Sequence, residues 1–226
     1  MARRDHCRFV KNPRDLAPLI DHTLLKPVAT KQDIIRLCEE AAKYGFASVC
    51  VNPYWVPLAA ENLENSSTLV CTVIGFPLGS NMSIVKAEET RICIESGANE
   101  IDMVINIGQV KAHNWREVFQ DIAQVVETAE NILVKVILET SLLTEEEIVQ
   151  ASTVSLSAGA SYIKTSTGFA SGGATVEAIS LMSQTIGDEI GIKASGGIGD
   201  FEKALSMVRA GATRIGSSRS IKIIGE

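Results

Sequence analysis

The chain has 226 residues, a formal net charge of −6, 46% hydrophobic residues and 21% charged residues, with a mean hydropathy of +0.16 and a pI near 5.2. This length makes one domain the default, and with only 5% aromatic residues the core must be aliphatic. An acidic chain lacks the basic face through which nucleic-acid binders release phosphate counterions, and no run of eighteen apolar residues marks a membrane span.

Met1-Ala2-Arg3-Arg4 leads into Asp5, His6 and Cys7 rather than an apolar segment, so no secretory signal is read and a cytoplasmic protein is expected. After a polar stretch to about Asp15, short Val/Ile-rich runs alternate with helix-length amphipathic segments. Strands are expected at 19–22, 48–51, 69–74, 100–105, 133–138, 162–164, 191–194 and 214–216. Helices are expected after Thr30, over 57–62, 83–96 and 115–131, after Thr144, and over 175–186 and 201–210, with a short eighth helix within 217–226. Thr30 with Asp33 and Thr144 with Glu147 form the capping-box pattern.

Strands alternating with helices imply parallel pairing through right-handed crossovers. Eight units predict an α/β fold, a (β/α)8 TIM barrel, with residues 1–226 as one domain behind a short N-terminal extension. An open doubly wound sheet is the rival, but no Gly-x-Gly-x-x-Gly follows the first strand. The short final helix is expected to leave the last strand thinly covered, which oligomerisation could remedy.

Five cysteines (Cys7, Cys38, Cys50, Cys71, Cys93) cannot all pair within one chain, and neither they nor His6, His22 and His113 show zinc-ligand spacing. Reduced core thiols and no metal are expected. Cys50, at a strand end, has no adjacent histidine to activate it. His22 reads as a hydrogen-bonded residue beneath the pocket rather than an acid–base group, and Trp115 as helix packing.

Charges inside apolar strands carry the chemistry: Asp102, Lys135, Lys164 and Lys193. Side chains alternate along a strand, so a charge whose flanks pack under helices points into the barrel. Several lysines against one aspartate leave excess positive charge. Crowding ammonium groups at low dielectric disfavours protonation, and a neutral lysine attacks carbonyls to form a Schiff base. Three successive strands then open into small turns, Thr165-Ser166-Thr167-Gly168, Ala194-Ser195-Gly196-Gly197 and Gly216-Ser217-Ser218, whose backbone N–H groups can converge on an anion. No Gly-x-x-x-x-Gly-Lys-Ser/Thr is present, so a sugar phosphate is a better guess than a nucleotide.

The segments Ile20-Asp21-His22-Thr23-Leu24-Leu25-Lys26-Pro27, Ala47 to Pro53, Val73 to Gly79, Glu100 to Val104, Lys164-Thr165-Ser166-Thr167-Gly168-Phe169, Lys193 to Ile198 and Ile215 to Ser218 together resemble the deoxyribose-phosphate aldolase family over nearly the whole chain. The resemblance implies a cofactor-free, class I lyase that cleaves 2-deoxy-D-ribose 5-phosphate to D-glyceraldehyde 3-phosphate and acetaldehyde in deoxyribonucleotide catabolism, and a homo-oligomer. It further implies Lys164 as the imine-forming residue, Lys193 as the neighbour that depresses its pKa, and Asp102 as an aid to proton transfer through water. Asp21, Thr23 and Cys50 would line the substrate pocket, Lys135 would support the network there, and Gly168, Gly196, Gly197, Ser217 and Ser218 would cradle the phosphate. At Asp21, substrate binding and pairing with a lysine stay equally open.

Two departures stand out. Phe169 occupies a position where some members carry a phosphate-contacting lysine, which lowers the expected phosphate affinity. The C-terminal tyrosine of some members has no counterpart, the last tyrosine being Tyr162. The rivals are a keto-deoxy-sugar-acid aldolase, a non-catalytic sugar-phosphate sensor that forms no reducible imine, and a zinc-dependent aldolase.

Overall fold

Eight parallel strands close on themselves in sequence order in the computed structural model, which describes residues 10–226. His6 and Cys7 lie outside the described residues. The strands are β1 (Ile20–Leu24), β2 (Ser48–Val51), β3 (Leu69–Ile74), β4 (Glu100–Val104), β5 (Leu133–Ile137), β6 (Tyr162–Lys164), β7 (Gly191–Ser195) and β8 (Arg214–Ser217). β8 returns to β1 with Asp21 opposite Gly216 and His22 opposite Ser217. Around the barrel run α1 (Lys31–Tyr44), α2 (Val56–Leu63), α3 (Ser83–Glu95), α4 (Ile107–Lys111), α5 (Trp115–Ala129), α6 (Glu145–Ser157), α7 (Val176–Ile186), α8 (Phe201–Ala210) and α9 (Ser220–Ile223).

Both expected capping boxes form: Thr30 and Asp33 bond reciprocally at the start of α1, and Thr144 and Glu147 at the start of α6. The short helix α4 was not anticipated. It starts where the Asn106 side chain accepts from the Gln109 N–H, and five residues carry too little periodicity to read.

Strand alternation divides the molecule into two apolar zones. Outward residues such as Val49, Ile101, Met103, Val136, Ile163 and Ile215 pack with Ile34, Val118, Ile122 and Met182 of the helices. Inside, a small cluster of Leu25, Cys50, Cys71 and Val73 fills one side of the barrel, with Phe76 against it.

The last strand is better covered than its short helix suggests. Pro13–Leu19 forms a 3-10 helix with its own capping box, and Leu16 joins Ile215, Ile223 and Ile224 in the outer core. Ile215 is fully buried. The N-terminal segment therefore supplies the cover that α9 alone cannot, and β8 needs no second chain for it.

Candidate active site

Asp102 stands at the centre of the barrel interior. Its Oδ1 accepts from Lys135 Nζ at 2.8 Å and from the Cys71 thiol at 3.2 Å, while Oδ2 accepts from Lys164 at 2.8 Å and Lys193 at 2.6 Å. The four charges expected to point inward do meet, all of them buried. Burial alone would raise the Asp102 pKa, but the three ammonium groups outweigh it and hold the carboxyl well below the usual range.

Two further carboxylates join it: Asp21, for which pairing with a lysine was one of two open readings, and Glu100, which was not anticipated as a partner. Asp21 Oδ2 lies 2.5 Å from Lys193 Nζ, and Glu100 Oε2 lies 2.6 Å from Lys135 Nζ. Arg214, the first residue of β8, reaches Asp21 Oδ1 at 2.7 Å and Glu100 Oε1 at 3.2 Å. The interior thus holds three carboxylates against three lysines and an arginine, a smaller excess of positive charge than one aspartate would leave.

Crowding of like charges is therefore not what governs Lys193 and Lys135. Burial opposes charge on Lys193 and Lys135, yet Asp102 with Asp21 and Glu100 prevails and holds both ammonium groups above the ordinary lysine range. Lys193 stands beside Lys164 as a firmly protonated neighbour. Its stem fits because residue 216 is glycine: a Cβ there would lie 3.0 Å from Lys193 Cε and from Ser195 Cβ.

Above the charges, at the carboxyl ends of the strands, opens a pocket of about 510 Å³ lined by Lys164, Thr23, Leu25, Gly168, Gly196, Gly197, Ser217 and Ser218, among others. Lys164 is the one lysine of the charged cluster that lines it. Gly168, Gly196 and Gly197 have φ of 82°, 85° and 75°, left-handed backbone that side chains resist, so these turns depend on glycine. The β6 and β7 loops dock on each other through the Ala174 N–H, which donates to the Ser195 and Gly196 carbonyls at 3.0 Å.

A family model described as DeoC/LacD family aldolase matches residues 16–221. The deoxyribose-phosphate aldolase of Clostridium botulinum (strain Langeland) is 56% identical over 209 residues, covering 92% of this chain and 99% of that protein. The Geobacillus sp. (strain WCH70) enzyme of the same name is 56% identical, covering 93% and 95%. The chain belongs to the deoxyribose-phosphate aldolase family. The solved deoxyribose phosphate aldolase of Aeropyrum pernix, described as a tetramer, is 33% identical, covers 98% of this chain and 94% of its own, and superposes with a TM-score of 0.90. These relatives are lyases, and the expected barrel is theirs as well.

Not every pocket position expected of a deoxyribose-phosphate aldolase lies on the pocket wall. Thr23, Gly168, Gly196, Gly197, Ser217 and Ser218 do. Asp21, Cys50 and Lys135 are fully buried beneath it. Asp21 is occupied by Lys193 and Arg214, and the Lys135 ammonium by Asp102 and Glu100. The Cys50 and Cys71 sulfurs lie within 4.8 Å of each other, and the Cys71 thiol beside it lowers the Cys50 pKa, whereas burial drives Cys71 well up.

His22 is a correction. Because Asp21 and Thr23 face inward, His22 faces the helices, its Nε2 2.8 Å from Glu40 Oε2 and its Nδ1 3.0 Å from Ser220 Oγ, against Phe46. It is outside the barrel wall rather than beneath the pocket.

Residues that sequence reasoning missed include Lys26 and Arg219 at the pocket mouth and Glu139. Buried Glu139, at φ 57°, accepts the Thr167 N–H at 3.2 Å and also the Thr167 hydroxyl, clamping the turn that follows Lys164.

Proposed function

We propose that this chain is a class I aldolase acting as one barrel domain, which reversibly cleaves 2-deoxy-D-ribose 5-phosphate through an imine on Lys164. The carrying observation is that Lys164, alone of the interior lysines, lines the pocket while its Nζ rests on Asp102. In its free-amine form Lys164 adds to the C1 aldehyde, and loss of water gives a cationic imine. That cation draws the electron pair of the C2–C3 bond as the C3 hydroxyl loses its proton. Glyceraldehyde 3-phosphate leaves, and the remaining enamine takes a proton at carbon and is hydrolysed to acetaldehyde, restoring the amine.

Asp102, held ionised by its lysines, stabilises the iminium and orders water, and that water carries the protons. Gly168, Gly196, Gly197, Ser217 and Ser218 offer backbone N–H donors to the 5-phosphate, and Ser218 adds its hydroxyl, the Ser217 hydroxyl being donated to the Ile198 carbonyl. Lys26 and Arg219 bring positive charge to the same mouth and make up for Phe169, whose ring lies edge-on to Phe76 with centroids 5.2 Å apart.

The reading includes a cytoplasmic homo-oligomer. The tetrameric relative and the exposed apolar side chains Tyr54, Leu78, Met82 and Ile84 support assembly. Among the described residues no helix is long and apolar enough to cross a membrane.

The decisive experiment treats EDTA-washed protein with acetaldehyde and borohydride and maps the peptides. A single ethyl adduct on Lys164 is expected; folded protein without that adduct refutes the imine.

A further inference from the structure

The ion pairs of the barrel interior join into a closed circuit. Arg214 touches Asp21 (2.7 Å), Asp21 touches Lys193 (2.5 Å), and Lys193 touches Asp102 (2.6 Å). Asp102 touches Lys135 (2.8 Å), Lys135 touches Glu100 (2.6 Å), and Glu100 returns to Arg214 (3.2 Å). Signs alternate at every step, so the six-membered ring carries three positive and three negative charges. Every member bridges at least two of opposite sign, and Lys135 also lies 3.9 Å from Asp21 across the ring.

Lys164 hangs outside the ring and meets only Asp102. Among the described residues it is the surplus cation of the interior. Were Lys193 to give up its proton, Asp21 would keep Arg214 in contact and Lys135 only at 3.9 Å; were Lys135 to do so, Glu100 would keep only Arg214; either way the circuit would open. When Lys164 gives up its proton, every carboxylate keeps two cations and the interior becomes neutral. Net charge in a low-dielectric interior is costly, so the ring directs deprotonation to the pocket-facing lysine.

We propose that Arg214 and Glu100, at the starts of β8 and β4 and with no contact to the pocket, are positioning residues that set the charge state of the nucleophile by closing this neutral ring. The inference rests on Lys164 being the imine-forming amine. Arg214 also stands over the ring of Tyr162 on β6 at 5.7 Å, a phenol that faces the circuit through the guanidinium. The other titratable groups facing the ring are the thiols of Cys50 on β2 and Cys71 on β3, the latter pushed well above its ordinary range by burial.

The test is the pH dependence of kcat/KM for cleavage of deoxyribose 5-phosphate in charge-altering variants. Arg214→Met leaves the ring net negative, retains the proton on Lys164, and moves the acid limb to higher pH. Glu100→Gln leaves it net positive and moves the limb to lower pH. Each shift is about one pH unit, the scale of a unit charge acting through an effective dielectric of about 20. Arg214→Lys, and the double variant Arg214→Met/Glu100→Gln, keep neutrality and hold the limb at its wild-type place.

A merely structural role would move both single variants in the same direction or neither. That result overturns the proposal, as does a shift of the limb in either neutral variant, which remains decisive if the single variants fail to fold. Reductive trapping of each folded variant with acetaldehyde separates the two readings. An adduct on Lys164 with an unmoved limb defeats the ring alone, whereas no adduct in the wild-type protein defeats the imine reading on which it rests.

Discussion

Phe169 and Arg219 both line the pocket mouth, and under the proposed function their balance sets how firmly the 5-phosphate is held. Phe169 is half exposed and gives its edge to Phe76, so it offers an anion only its backbone. The Arg219 backbone N–H donates to Ser217 Oγ at 2.9 Å, and its guanidinium lies so close to Gly199 that a Cβ there would be 3.1 Å from Nη1. That places the charge beside Gly199 on the wall of the pocket that holds the proposed cradle. Arg219→Leu is expected to raise KM for deoxyribose 5-phosphate about tenfold, with kcat within twofold and no change for unphosphorylated deoxyribose. Steady-state kinetics on the two sugars checks this, and an equal loss on both would remove Arg219 from phosphate recognition. Sequence reading passed over Arg219 because it falls beyond the glycine-serine turn and is one of many surface arginines in appearance. It passed over Glu100 and Arg214 for a different reason. Each opens its strand behind a loop residue, Asn99 or Thr213, so the test of apolar flanks on both sides fails, although Glu100 shares the parity of Asp102.

At the scale of elements, the apolar runs were legible to within two residues because every strand is buried on its outer face and bounded by turn chemistry. What periodicity cannot show is a buried ion pair between helices. Lys86 on α3 reaches Asp121 on α5 at 2.5 Å and the Val104 carbonyl at the end of β4 at 2.9 Å, and Asp121 also accepts from Ser83 at 2.8 Å. Lys86 is fully buried, and burial lowers its pKa against the pull of Asp121. The pair ties two helices to the strand that carries Asp102, two residues upstream of the bonded carbonyl. Lys86→Met leaves Asp121 buried and unpaired and is expected to cost about 3–5 kcal/mol, while Lys86→Met/Asp121→Leu recovers most of it. Urea unfolding of both variants measures the difference; a single variant as stable as the double would show that Asp121 needs no partner.

On the scale of the whole molecule, a barrel has to join its two ends, and here that seam runs through His22. The β1–β8 pairing puts His22 opposite Ser217, and its ring spans from Glu40 on α1 to Ser220 on α9, while Arg14 pairs with Glu226 across the same closure. Burial lowers the His22 pKa, with Glu40 offsetting only part of the effect. The sign of the linkage follows. Above the unfolded histidine value of about 6.5 neither state takes the proton and stability is unaffected. Below it the unfolded chain binds a proton that the folded seam resists, so stability falls with pH, at a slope approaching about 1.4 kcal/mol per pH unit for one proton. Asp21 and Asp102, both held low by their cations, stay ionised through this window and do not contribute. Urea midpoints taken at pH 7.5, 6.5 and 5.5 are therefore expected to fall for the wild-type chain and to flatten in His22→Asn, whose seam has nothing to protonate. An equally steep fall in the variant would move the acid-sensitive point of barrel closure away from His22.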